Sequence, residues 1–175
     1  MAAPHHPYEA KIYNTVNGIL TELQAILVKL QQHPNDGNLA PTNGMINRLG
    51  ALLKELKNGS PNQATHDNNI EGILYAVATM GDQYIIGGES PATPAYPPPT
   101  GGTHEERVLR LFTTIDSICR DIFLILEPGS LLTPQPSGGA GNTQKIVAMA
   151  KDTLMVVKQI RQHIVTLHAI IAFSK

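Results

Sequence analysis

Tryptophan is absent from this chain, cysteine occurs once, phenylalanine three times, and charged side chains make up only 15% of the 175 residues. Each scarcity excludes something. A single thiol, Cys119, can form no intrachain disulfide and cannot by itself build a thiolate metal site. Thirteen Lys and Arg stand against 14 Asp and Glu with no basic run, so nothing clusters cations against phosphate, and nucleic acid is not an expected partner. The longest apolar runs are far shorter than the roughly 20 residues of a membrane-spanning helix. The opening MAAPHHPYEA has no basic stretch followed by an apolar core, so no secretory signal is read and the compartment stays open. Neither GxGxxG nor GxxxxGK[ST] occurs between a strand and a helix, which leaves no phosphate cradle.

What the chain has in quantity is apolar periodicity, 42% hydrophobic residues, and punctuation, 15 Gly and 13 Pro. Asn142 to Phe173 runs without a Pro or Gly, and Ile146, Met149, Ala150, Val156, Val157, Ile160, Ile164, Leu167 and Ile171 recur at three- and four-residue steps. This predicts one long helix. A second row, Val147, Leu154, Val165 and Ala172, widens its stripe beyond what one neighbour covers. From Tyr8 to Gln32, Ile12, Val16, Ile19, Leu23, Ile26 and Leu30 form a heptad-like seam that ends at His33-Pro34. A shorter helix is expected from Pro41-Thr42 to Asn58, and a third from Thr65 or Asp67 to Ile86, capped by one of those two residues. A fourth opens on Thr103 with Glu106 three residues on, the pattern of a capping box. Val108, Leu111, Phe112, Ile115, Ile118, Cys119 and Ile122 make it a core helix, with Cys119 read as a small buried hydrophobe.

The expected fold is therefore all-α: a single-domain helical bundle of about five helices over residues 8–175, four longer and one short, behind a flexible tail at 1–7. Two long Pro/Gly-rich loops interrupt it, at 87–103 and 128–141. The first reads as a crossover spanning the bundle end, although its YPPP core favours polyproline II and Pro94 with Pro97 completes a PxxP spacing.

Candidate chemistry is sparse. The paired His5 and His6 lie on the tail and are read as solvated. No Glu has a His three residues on, as a bundle di-iron site requires, and His163 and His168 point to different sides of a helix. Asp116 and Arg120 read as an exposed ion pair opposite the apolar stripe of the fourth helix. No catalytic, cofactor or metal residue is assigned. The function expected by elimination is a non-enzymatic structural or assembly protein, packing through neutral helical faces into a homo-oligomer or a larger complex. Val147, Leu154, Val165, Tyr96 and Pro97 are its candidate interaction residues. The alternative is a helical carrier that binds a lipid or other apolar small molecule between helices.

Overall fold

The computed structural model describes residues 5–33, 37–84, 90–91 and 96–174, with side chains described as far as residue 164. The chain forms α1 (Pro7–Gln31), α2 (Leu39–Asn58), α3 (Gln63–Gly81), α4 (His104–Leu126) and α5 (Asn142–Ser174). The expected all-α bundle of five helices is the observed one, 74% helical. Among the described residues there is no strand.

Periodicity located the helices, and local chemistry moved their ends. α2 begins at Leu39, so Pro41 sits inside its first turn, where a missing N–H leaves no helical bond unmade. With 20 residues it is no shorter than α3, which has 19, and the expected single short helix does not occur. α3 is capped by Asn62, whose side chain accepts from the Thr65 N–H at 2.8 Å, rather than by Thr65 or Asp67. It stops at Gly81, short of Ile86, which lies outside the described residues. Thr103 caps α4 as expected, accepting from the Glu106 N–H at 3.2 Å.

Each helix packs on two neighbours, α1 on α5 and α2, α2 on α3, α3 on α4 and α4 on α5, which closes a ring around one core. The α1 seam fills it with Ile12, Val16, Ile19, Leu23, Ile26 and Leu30, none more than 4% exposed. Burial of such side chains contributes roughly 1.5 to 3 kcal/mol each. At the centre, Val16, Met45, Leu74, Phe112, Cys119 and Val157 meet around a void of about 10 Å³. That is about one water.

Direction follows from the pairs that meet. Glu71 reaches His104 and Arg107, and Gly81 lies against Ile118, so α3 and α4 are parallel. Asp116 meets Thr153 and Glu127 meets His163, so α4 and α5 are parallel. Gly18 lies against Leu154 and Glu22 pairs with Arg161, which makes α1 parallel to α5. Only α2 is opposed, with Glu55 near its end bonded to His66 near the start of α3. Parallel neighbours joined in sequence require a return along the bundle, and this explains the two Pro/Gly loops. They run along α3 and α4 rather than across the bundle end. The Tyr75 hydroxyl donates to the Tyr96 carbonyl at 3.2 Å, and Arg110 donates to the Gly101 carbonyl at 2.8 Å. Arg120 donates to the Thr133 carbonyl at 2.6 Å, and Gln135 donates to the Thr113 carbonyl at 3.3 Å. At the end of the second return, Gly138 has φ +82°, and a Cβ there would stand 2.5 Å from Lys145 Cα. Only glycine fits this approach.

The return from Leu126 to Asn142 covers about 20 residues of helix rise, roughly 30 Å. Six extended residues reach only about 20 Å. Cutting the 128–141 loop to six residues is therefore expected to abolish cooperative thermal unfolding followed by circular dichroism, whereas replacing it at full length with Gly/Ser retains a cooperative but lower transition. Equal melting temperatures for the two variants would show that α4 and α5 are not parallel.

Candidate metal centre

Because α1, α3 and α4 are parallel, their N-termini share one end of the bundle, and the C-terminus of antiparallel α2 joins them. Four positive-dipole helix starts, α5 included, favour carboxylates in their first turns. The sequence supplies them in the first turns of α1 and α4, while α3 carries its carboxylates one turn later and α5 has none in its first turn. Glu9 lies in the first turn of α1 and accepts from the His6 N–H at 2.7 Å. Asp67 and Glu71 lie in the first half of α3, Glu105 at the start of α4, and Glu55 in the last turn of α2. Histidine stands beside them at three of the starts: His5 and His6 before α1, His66 in α3, and His104 as the first residue of α4.

These side chains form two triads. In one, Glu9 Oε1 is 2.9 Å from His5 Nδ1 and 2.8 Å from His66 Nε2. In the other, Asp67 Oδ1 is 2.8 Å from His6 Nε2 and 3.9 Å from His104 Nε2. Within each triad all three ligand atoms lie within 4.8 Å of one another. Donors around a tetrahedral ion with bonds of about 2.1 Å stand about 3.4 Å apart, so three atoms within 4.8 Å of one another can converge on one ion once the pairs now at hydrogen-bond length open slightly. A second layer surrounds them. His66 Nδ1 is 2.7 Å from Glu55 Oε2, His104 Nδ1 is 2.8 Å from Glu71 Oε2, and His6 Nδ1 is 2.7 Å from Glu105 Oε1. Asn69 and Ser60 donate to Glu55, Arg107 donates to Glu71 at 2.6 Å, and Gln63 donates to Asp67 at 2.8 Å. The Tyr8 hydroxyl lies 2.7 Å from His104 Nε2.

Burial makes the arrangement costly unless every charge is matched, since an unpaired buried charge loses several kcal/mol of solvation. Tyr8, Glu9 and His66 are at most 1% exposed. Desolvation alone would lower His66, but the hydrogen bonds and charges of Glu55 and Glu9 outweigh it and raise the imidazole above its ordinary value. Against the same desolvation, His66, Asn69 and Ser60 hold Glu55 below the usual carboxylate range. Asp67 is likewise lowered, its burial overcome by the hydrogen bonds of His6 and Gln63 and the charge of His104. Tyr8 is raised, first by burial and then by the carboxylates of Glu9, Asp67, Glu105 and Glu71.

The reading of His5 and His6 as a solvated pair on a tail holds for the exposed side chain of His5 and is corrected for His6. His6 is the cap residue of α1 and its ring stacks on His104 at 4.5 Å, while His5 meets His66 edge-on at 5.2 Å. A search for Glu-x-x-His within one helix misses a cluster whose side chains come from the starts of three helices. The usable signal was another one: three helices each open on a His with a carboxylate within three positions. Of the candidate interaction residues, Val147 and Leu154 are half-buried against the core, with Leu154 lodged over Gly18. Tyr96 packs edge-on against Tyr75 at 5.8 Å, Pro97 is exposed, and the Val165 side chain lies outside the described residues. No family model, curated protein or solved structure matches the chain.

A second polar cluster corrects the Asp116–Arg120 reading. Asp116 is fully buried because the returning loop and α5 cover the side of α4 that its own stripe leaves open. Arg120 pairs through two nitrogens with Asp152, Nε–Oδ2 2.8 Å and Nη2–Oδ1 2.9 Å, and leaves Asp116 as the surplus acid at 3.2 Å. Burial, followed by the hydrogen bond and charge of Asp152, pushes Asp116 up to about 7 from 3.8. The folded carboxyl thus keeps a proton that the unfolded one releases. Its contribution to stability is complete below the unfolded value and is lost as pH rises through about 7. The melting temperature is expected to fall more steeply, or rise less, between about pH 4 and pH 7 in the wild type than in Asp116→Asn, which cannot ionise. Parallel profiles for the two proteins would refute the raised carboxyl.

Proposed function

We propose that the protein is a non-enzymatic metal-binding bundle, in which transition-metal ions held by His5, Glu9 and His66, and by His6, Asp67 and His104, fasten its N-terminal segment to the starts of α3 and α4. One observation carries this reading: the orientation of the imidazoles. His6, His66 and His104 each turn one ring nitrogen to a triad carboxylate and the other to an outer carboxylate, Glu105, Glu55 and Glu71 respectively. An outer carboxylate fixes the ring and strengthens the inner nitrogen as a donor, as around bound metals. The charge balance supports the same reading, since five carboxylates face one guanidinium, Arg107. Two imidazoles with a carboxylate suit zinc, copper, nickel or iron rather than magnesium or calcium.

A network closed by protonated imidazoles satisfies the same distances without metal, and titration separates the two. Calorimetry of the chelator-treated full chain with zinc is expected to give two sites with proton release. At a hundredfold excess over Kd each ion adds about 2.7 kcal/mol of stability, roughly 5 to 10 °C in Tm. His66→Gln and His104→Gln should each remove one site. A flat titration with unchanged Tm would leave the imidazolium network as the whole account.

A second reading, assembly with another copy or a larger complex, is favoured by Leu131. It is 98% exposed on the second loop and lines a shallow depression with Leu124 and Leu132. Leu131→Asp is expected to weaken self-association in sedimentation without lowering Tm; a wild type that is monomeric at every concentration, with no partner, would remove this reading. The void of about 10 Å³ at the centre of the described core gives the carrier alternative no support.

A further inference from the structure

We infer that Tyr8 completes the triad of His6, Asp67 and His104 as a phenolate ligand, and that this centre takes a ferric ion; the inference rests on the metal-binding reading above. The two triads differ in one respect. Around His5, Glu9 and His66 the donors are imidazole and carboxylate only, a borderline set that suits zinc. At the other triad a phenol is added. The Tyr8 hydroxyl stands 2.7 Å from His104 Nε2, the nitrogen that faces Asp67, and its ring lies nearly parallel to that of His6, at 13° and 5.8 Å. His104 Nδ1 is bonded to Glu71, which leaves the Nε2 lone pair turned toward the hydroxyl and Asp67. Hydroxyl and imidazole share a hydrogen bond whose proton an ion would replace, and Asp67 faces the same nitrogen at 3.9 Å.

A phenolate is a hard anionic donor, and hardness is matched by a small trivalent ion. Charge points the same way. Phenolate and Asp67 supply two negative charges, and Glu105, bonded to His6 Nδ1 at 2.7 Å, supplies a third in the outer layer. Glu71 is already occupied by Arg107. Ligation exchanges one bond for another: the phenolic O–H breaks, an iron–oxygen bond forms, and the proton leaves to solvent. The oxidation state of iron is unchanged and no co-reactant is consumed. Of the five tyrosines in the chain, Tyr8 is the one whose hydroxyl is hydrogen-bonded to a triad histidine among the described residues, while Tyr13 lines a surface depression beside Glu9 of the other triad. Tyr13, one turn further along α1, is half-buried and serves as a control.

Phenolate bound to ferric iron absorbs in the visible through charge transfer to the metal, whereas zinc gives no such band. The full chain is titrated with ferric nitrilotriacetate, and zinc is titrated separately by calorimetry. The expected result is a visible band that saturates at one ferric ion per chain, persists in Tyr13→Phe and is lost in Tyr8→Phe, while Tyr8→Phe still binds zinc. Zinc binding by that variant also shows that it folds. Resonance Raman excitation within the band of the wild type should show phenolate ring modes, an observation independent of any variant. Zinc binding without a visible band, or a band that survives Tyr8→Phe, overturns the phenolate ligand and leaves the metal-binding reading standing. Failure to bind either ion overturns both.

Discussion

Four of the five helices run in one direction, and most of the remaining structure follows from that constraint. A chain can set consecutive parallel helices side by side only by returning along the bundle between them. It does so twice, from α3 to α4 and from α4 to α5. Proline suits an extended return, because it fixes φ and favours polyproline II, and glycine permits the close approach where Gly138 meets α5. The loops are held by their carbonyls. Arg110 and Arg120 reach out from α4 to Gly101 and Thr133, so two cations of a charge-poor protein serve as fasteners for backbone.

The same constraint gathers four helix N-termini at one end, whose unpaired N–H groups and aligned dipoles make it a positive region. Carboxylates are favoured there, and their accumulation in turn calls for compensating charge. Histidine meets that demand in two ways, as an imidazolium or as a ligand that brings in a cation. The outer layer of Glu55, Glu71 and Glu105 serves either, since each holds an imidazole by one nitrogen with the other directed inward. Glu9 shows how local and global roles merge. One oxygen caps α1 through the His6 N–H, and the other joins His5 to His66.

The interior divides its chemistry along the bundle axis. Its middle is apolar and closed, with a void of about 10 Å³ where all five helices meet. The N-terminal end is ionic and layered. Level with the void, Asp116 shows what happens when a carboxylate is covered by elements distant in sequence. Arg120 is already matched by Asp152, so the remaining acid keeps its proton toward neutral pH. The charge on Asp116 is set by a loop and a helix that its own segment cannot specify.

Much of the architecture was legible in the sequence, because helical periodicity is a local property. The seam from Ile12 to Leu30 and the row from Ile146 to Ile164 are buried as spacing requires, and Thr103 caps α4 as its position implies. The centre was only half legible. Each of its pieces stands in the sequence as a histidine next to a carboxylate at a helix start, yet His6 and Asp67 are 61 positions apart. Nothing local says that these starts share an end. Short connections would have alternated the helices up and down and scattered the histidines to opposite ends. Periodicity determined which face of each helix turns inward, since that depends on residues three and four apart. Only the tertiary structure decided which ends meet, because direction and neighbourhood are set by the whole ring closing on its core.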